Sequence, residues 1–305
     1  QNNLKNISVK IPLNSLLVIT GVSGSGKSTL IKDVLFPAIK RQLDGFNGKS
    51  GRHGYLTGEL NGISAVEYVD QNPIGRSSRS NPATYLKAFD DIRSLFASQK
   101  LAKLRNYKPG FFSFNVPGGR CDQCEGEGVI KVEMQFMADI YLKCDSCNGH
   151  RFKDEVLDIK YEDKNISDIL NMTVDQSIEF FGKSPKPTSI CKKIVEKISP
   201  LSHVGLGYLH MGQPSNTLSG GEAQRVKLAY FLSKGSSDSP TLFVFDEPTT
   251  GLHVHDIKKL LISLNSLIEI GHSIIVIEHN TEVIKCADWI IDLGPDGGDG
   301  GGELI

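Results

Sequence analysis

Three groups of residues in this 305-residue chain have types and spacing that suit chemistry. The first is "GVSGSGKST", Gly21–Thr29, which fits G-x-x-x-x-G-K-[ST]. Glycines at that spacing let the backbone curl until several N–H groups converge on one phosphate, and a helix opening behind them adds its positive end. Lys27 then sets a charge against the outer phosphates and Ser28 a hydroxyl against Mg2+. Gly21, Ser23, Gly24, Ser25, Gly26 and Thr29 complete the expected ATP contacts. The second group is "TLFVFDEP", an apolar run that delivers Asp246 to hold Mg2+ and Glu247 to take a proton from an attacking water. The third is Cys121, Cys124, Cys144 and Cys147, spaced C-x2-C-x19-C-x2-C.

Each CxxC turn presents two thiolates, and four sulfurs fill a tetrahedral site with no open position, so the expected metal is one structural Zn2+. Gly126, Gly128 and Gly149 suit the tight turns. Two disulfides are the first alternative. No secretion signal supports them, and a phosphate-loop protein points to a reducing cytosol. An iron–sulfur cluster is the second, and the spacing leaves it open. Cys191 and Cys286 lack such spacing and are expected to be ordinary buried thiols.

These groups need elements to position them. Leu16–Thr20, Ala65–Asp70, Thr241–Phe245, Ser273–Ile277 and Trp289–Leu293 are short apolar runs of buried-strand length. Helical spacing follows the phosphate loop, with Pro37 as a kink or stop, and recurs over 84–106, 165–199 (broken at Pro185 and Pro187) and 254–270. Residues 42–62 read as loop or short hairpins, and "VIKVEMQF" as one strand of a hairpin between the CxxC turns. Strands alternating with helices predict a parallel α/β sheet. The expected organisation is a nucleotide-binding fold in two parts, 1–89 and 201–305, around an inserted helical region, 90–200, with the cysteine module at about 110–152.

"LSGGEAQR" adds an anion site without a lysine, because Ser219, Gly220 and Gly221 open a helix. A phosphate loop, LSGG and a strand ending in "DEP" with "TTGLH" behind it together resemble the ATP-binding cassette ATPases, which are P-loop NTPases. That resemblance implies a composite site in which Ser219, Gly220 and Gly221 act on the nucleotide of another cassette. It also places Gln71 at the glutamine loop, touching Mg2+ and the attacking water, and His279 in "IEHN" at the switch histidine, so the catalytic set becomes Glu247, Gln71 and His279 with Mg2+ at Ser28, Gln71 and Asp246. The aromatic residue on which many transporter cassettes stack adenine is missing from residues 1–20.

A cysteine module between glutamine loop and LSGG is unusual for a cassette. With "DQNPIGRSSRSNPATY", "FSFNVPGGRCDQCEGEGVIKVEMQF" and "IEHNTEVIKCADWIIDLGPDGG" it is similar to the carboxyl-terminal half of the UvrA family, the damage-recognition ATPases of bacterial nucleotide excision repair. The resemblance implies ATP hydrolysis coupled to binding of double-stranded, preferably damaged DNA and loading of a UvrB-like partner. It further implies a homodimer in the full protein and a cytoplasmic setting. Such a protein is part of an excinuclease without being the nuclease. Residues 100–120 hold five Lys or Arg and no acid, which by itself reads as a solvated basic face. The resemblance implies that Lys103, Arg105, Lys108 and Arg120 are DNA-backbone candidates, with Arg76 and Arg79 upstream as weaker ones. Phe112 and Phe114 are expected in the core of the module rather than as wedges in DNA. A net charge of −1 leaves such a local patch possible, and no apolar run approaches the ~18 residues of a membrane span. Residue 1 is Gln and the chain stops just after "DGGDGGG", so a piece of a longer protein is expected. The alternatives are a UvrA-like drug-resistance ATPase, the soluble cassette of a transporter or translation factor, and a nucleotide-gated DNA-binding scaffold with little turnover.

Overall fold

The structure, a computed structural model, describes residues 2–45, 48–75, 77, 79–134, 139–184, 188–234 and 239–305. Internal contacts divide the chain into two compact units, residues 1–72 with 234–305 and residues 73–233. The sequence placed divisions at 89/90 and 200/201. The helices Pro82–Tyr85 and Gly220–Ser233 fall in the inserted unit because they pack on its other helices, Ala88–Ala97 and Ser189–His203.

The first unit is built on a sheet of β1 (Leu16–Gly21), β2 (Ala65–Val69), β5 (Thr241–Asp246), β6 (Ser273–Ile277), β7 (Trp289–Gly294) and β8 (Glu303–Leu304), numbered in chain order with β3 and β4 in the other unit. The spatial order is β2-β5-β6-β1-β7-β8, with all pairs parallel except β7 with β8. The inner strands read as continuous apolar runs because both faces are covered. Leu17, Ile19, Val244, Ile275, Ile277 and Leu293 join Leu30 and Ile31 in one buried cluster, and each such side chain contributes about 1.5–3 kcal/mol relative to exposure. On the helix Val254–Glu269, Ile257, Leu260, Leu264 and Leu267 are buried at helical spacing.

Pro37 does not end the helix after the phosphate loop. Residues Thr29–Leu35 form wide π turns, and Phe36–Asp44 continues as α-helix with Pro37 in its first turn, where a missing N–H is tolerated. The carbonyl of Asp33, which a proline at 37 cannot bond, accepts instead from Gly51 N–H at 2.7 Å. Among the described residues of 42–62 there is one 3-10 turn, Leu60–Gly62, and no hairpin.

The second unit is mainly helical. Asn81, Asn165 and Thr173 each start a helix by a reciprocal capping box, satisfying two otherwise orphaned N–H groups. The helices Ile166–Asn171, Val174–Gly182 and Ser189–His203 cover the expected helical stretch; Pro185 and Pro187 lie outside the described residues. Between the CxxC turns, β3 (Val129–Val132) pairs antiparallel with β4 (Ile140–Lys143). Phe112 and Phe114 are fully buried, Phe114 stacking on Phe89 at 4.7 Å. Among the described residues no helix is long and apolar enough to cross a membrane.

Candidate functional site

The sheet order sets β5, β6 and β1 side by side, so the loops leaving their carboxyl ends converge, as ligand sites do in open α/β sheets. Behind β1 the loop curls through Gly21, Gly24 and Gly26, all at positive φ. Gly21 has no alternative: a β-carbon there would stand 2.0 Å from the carbonyl oxygen of Leu293. A pocket of about 210 Å³ opens above the loop, lined by Asn3, Ser23, Gly24, Gly26, Lys27, Ser28, Thr29, Glu247, Ile277 and His279. Gly21 and Ser25, expected as ATP contacts, do not line it, Ser25 being fully buried. Lys27 donates to the carbonyls of Gly21 and Val22, each at 2.8 Å. Burial pushes its ammonium below the usual range, while Glu247, Asp292 and Asp246 pull it back up.

At the end of β5, Asp246 accepts a hydrogen bond from the Tyr68 hydroxyl at 2.8 Å. Burial, then that bond, push the Tyr68 phenol far above its ordinary value, so it serves as a fixed donor. Glu247 sits at φ +48°, in the left-handed region that costs a non-glycine residue energy. Its N–H is tied to the Ile277 carbonyl at 2.9 Å, and its carboxylate lies 3.7 Å from His279 Nε2. Gln71 donates to the Glu247 carbonyl at 3.5 Å.

Glu278, at the end of β6, is a residue the sequence patterns did not single out. It is 3% exposed. One carboxylate oxygen accepts from Thr249 N–H at 2.9 Å and from the Thr249 hydroxyl; the other accepts from His279 N–H at 2.8 Å and Asn280 N–H at 3.0 Å. A buried carboxylate is stable only when so fully bonded. The available signal was an acid directly behind four buried apolar residues, Ile274 to Ile277, and beside the histidine. A larger cleft of about 840 Å³, lined by Lys32, Phe36, Arg41, Lys49, Tyr68 and Asp70 among others, carries none of the phosphate-loop groups.

In the second unit, Ser219 caps the helix Gly220–Ser233: its hydroxyl oxygen accepts from Glu222 N–H at 3.3 Å, and its own N–H and hydroxyl donate to the Glu222 carboxylate at 2.7 and 2.9 Å. Burial works against the charge on Glu222, but the Tyr208 hydroxyl and Ser219 outweigh it and hold the carboxyl below its ordinary range. Gly220 and Gly221 form the helix start behind this cap.

The four cysteine sulfurs lie within 4.8 Å of one another, Cys121 to Cys144 at 3.9 Å and Cys124 to Cys147 at 3.6 Å. A disulfide needs about 2.05 Å, whereas four thiolates about 2.3 Å from a tetrahedral zinc stand roughly 3.8 Å apart. An iron–sulfur cluster places several atoms between its thiolates and asks for a wider cage. The donor set therefore fits one Zn2+ held by Cys121, Cys124, Cys144 and Cys147, which would fix the two turns and leave no position for substrate. Gly126 and Gly128 stand at φ +84° and +79°, and a β-carbon on Gly126 would meet the Phe114 carbonyl at 2.2 Å. Burial alone would raise the Cys121 thiol, yet the N–H groups of Cys124 and Gln123 bring it down to about 7. Of the two other cysteines, Cys191 is buried as expected, but Cys286 is exposed because it caps the short helix Thr281–Lys285 at the surface.

The basic candidates separate. Arg79 pairs with Glu125 at 3.4 Å and Glu127 at 3.6 Å, Arg120 with Glu125 at 3.5 Å, and Arg105 with Asp158 at 3.0 Å. Lys103 and Lys108 are exposed. Arg76 lies outside the described residues.

A phosphate loop on β1, a β5 carboxylate pair and a signature helix in an inserted helical unit define a P-loop NTPase fold of ATP-binding cassette type. Over its whole length the chain is similar to UvrABC system protein A: 52% identical to that of Clostridium perfringens and 54% to that of Aquifex aeolicus. The chain spans about a third of each of these relatives, 32%. The crystal structure of UvrA2 from Deinococcus radiodurans superposes on the whole chain with a TM-score of 0.89 at 45% identity, the match covering 36% of that protein. No protein-family model matches the chain.

Proposed function

We propose that the chain is an ATP-hydrolysing cassette of a DNA-damage-recognition protein acting in nucleotide excision repair in the cytoplasm. The observation that carries the reading is the convergence of Lys27, Ser28, Glu247 and His279 on one pocket. Similarity to UvrABC system protein A over all 305 residues supports the repair assignment.

Lys27 and the loop N–H groups would bind the phosphates of ATP. Ser28, Asp246 and Gln71 would hold Mg2+, which neutralises charge on the phosphates when bound. Glu247 accepts a proton from water; the water oxygen attacks the γ-phosphorus, the bond to the β–γ bridging oxygen breaks, and ADP and phosphate leave. His279 keeps the Glu247 carboxylate oriented and faces the γ-phosphate. Ser219, Gly220 and Gly221 act on the nucleotide of another cassette, so turnover by this chain alone is slow. Double-stranded DNA, a UvrB-like partner and a second copy of the full protein complete the proposed assembly, with Lys103 and Lys108 as the foremost phosphate contacts and Arg105, Arg120, Arg79 and Arg76 behind them.

Glu247→Gln tests the enzyme reading. The expected outcome is turnover lower by about a hundredfold or more, with MgATP binding retained. Undiminished turnover would sink it; a nucleotide-gated scaffold without catalysis predicts that function survives the substitution.

A further inference from the structure

A curled phosphate loop keeps its N–H groups turned inward only if its outward carbonyls find donors of their own. Lys27 serves two of them, Gly21 and Val22. Two segments from opposite ends of the sequence serve the next two. The Asn3 side-chain amide donates to the Gly24 carbonyl at 2.8 Å and to the Gly298 carbonyl at 3.2 Å. Gly298 N–H donates to the same Gly24 carbonyl at 3.1 Å, and Gly302 N–H to the Ser25 carbonyl at 3.1 Å. The Gly302 carbonyl in turn accepts from Lys5 N–H at 2.9 Å, so the run "GGDGGG" is strapped between the amino-terminal segment and the loop.

The contact is too close for side chains. A β-carbon on Gly297 would stand 2.6 Å from the Ser23 carbonyl oxygen, and one on Gly301 3.1 Å from Ser25 Cα. One on Gly302 would stand 1.9 Å from the Asn3 carbonyl oxygen. Asn3 is half-buried and lines the pocket itself. We infer that Asn3 and the 297–302 strap are positioning residues of the nucleotide site, bracing the peptide units at Gly24 and Ser25 so that the loop keeps its phosphate-receiving curl. The inference rests on the reading of this pocket as the ATP site. Loss of Asn3 exposes the Gly24 carbonyl to water rather than burying it unpaired, so the fold survives while the loop loosens.

The test is titration of MgATP against the wild-type chain, Lys27→Ala, Asn3→Ala, Gly297→Ala and Gly45→Ala. Gly45, at φ +66° with nothing within 4 Å of an added methyl, supplies the control for a glycine substitution away from the loop. Asn3→Ala and Gly297→Ala are expected to bind about tenfold more weakly. Gly45→Ala binds as wild type, and Asn3→Ala unfolds within about 3 °C of wild type without nucleotide. In turnover, Asn3→Ala raises KM and leaves kcat, which a general loss of stability would not do. Wild-type affinity in Asn3→Ala overturns the inference while the nucleotide reading stands. Equal binding by wild type and Lys27→Ala overturns the nucleotide reading and the inference with it. If Gly297→Ala does not fold, Asn3→Ala alone decides.

Discussion

The phosphate loop turns N–H groups toward an anion that must come and go, whereas the cysteine cage turns four sulfurs toward a cation that stays. Both rely on glycines at positive φ packed against a carbonyl, Gly21 on Leu293 and Gly126 on Phe114. They differ in what closes them. The cage is buried and complete, with Cys121, Cys124, Cys144 and Cys147 supplying every ligand. The loop is open on its pocket side, and its order comes from groups behind and beside it. A metal-knotted turn thus concentrates its stability in one ion, while an open nucleotide site spreads its order over many modest bonds.

The largest expected effect tests the first half of that contrast. Cys144→Ser removes one of four ligands from a site whose metal supplies on the order of 10 kcal/mol. Zinc content should fall from about one to near zero per chain, and the β3–β4 hairpin should lose hydrogen-exchange protection. Retained zinc would break the comparison. Of intermediate size is Glu278→Gln, which sets an amide against donors that now face a carboxylate. The expected loss is about 2–3 kcal/mol in chemical denaturation, together with a shifted His279 ring resonance. The smallest is Tyr68→Phe, which deletes one bond to Asp246. It should cost about 0.5–1.5 kcal/mol and leave zinc content untouched; a larger cost would mean that the open site, too, hangs on a single contact.

Much of this was legible because local chemistry forces it. The phosphate loop, Asp246 and the CxxC turns announce themselves by residue type at fixed spacing, and the buried strands by continuous apolar runs. Residues whose roles arise from tertiary approach did not. Tyr68 reads as one more strand residue until β2 lies beside β5 and brings it to Asp246. The run after Pro295 shows only a high glycine content in the sequence, and its glycines acquire a reason only where they meet Ser23, Ser25 and Asn3. Pro37 suggested a break because the pattern cannot show that Gly51 will satisfy the freed carbonyl of Asp33. The basic stretch was counted by charge, while Glu125 and Asp158, outside it in sequence, pair with its two arginines, Arg120 and Arg105, and Glu125 and Glu127 pair with Arg79 upstream.

The four bonds to Glu278 have a mechanical consequence. Its two oxygens belong to one rigid carboxylate, and each is committed to a different loop, Thr249 on one side and His279 with Asn280 on the other. Neither loop can translate without dragging that group or breaking a buried bond. The segment behind Glu247 and the segment carrying His279 therefore share one degree of freedom instead of two, and a displacement imposed on either is transmitted to the other as motion of a single body.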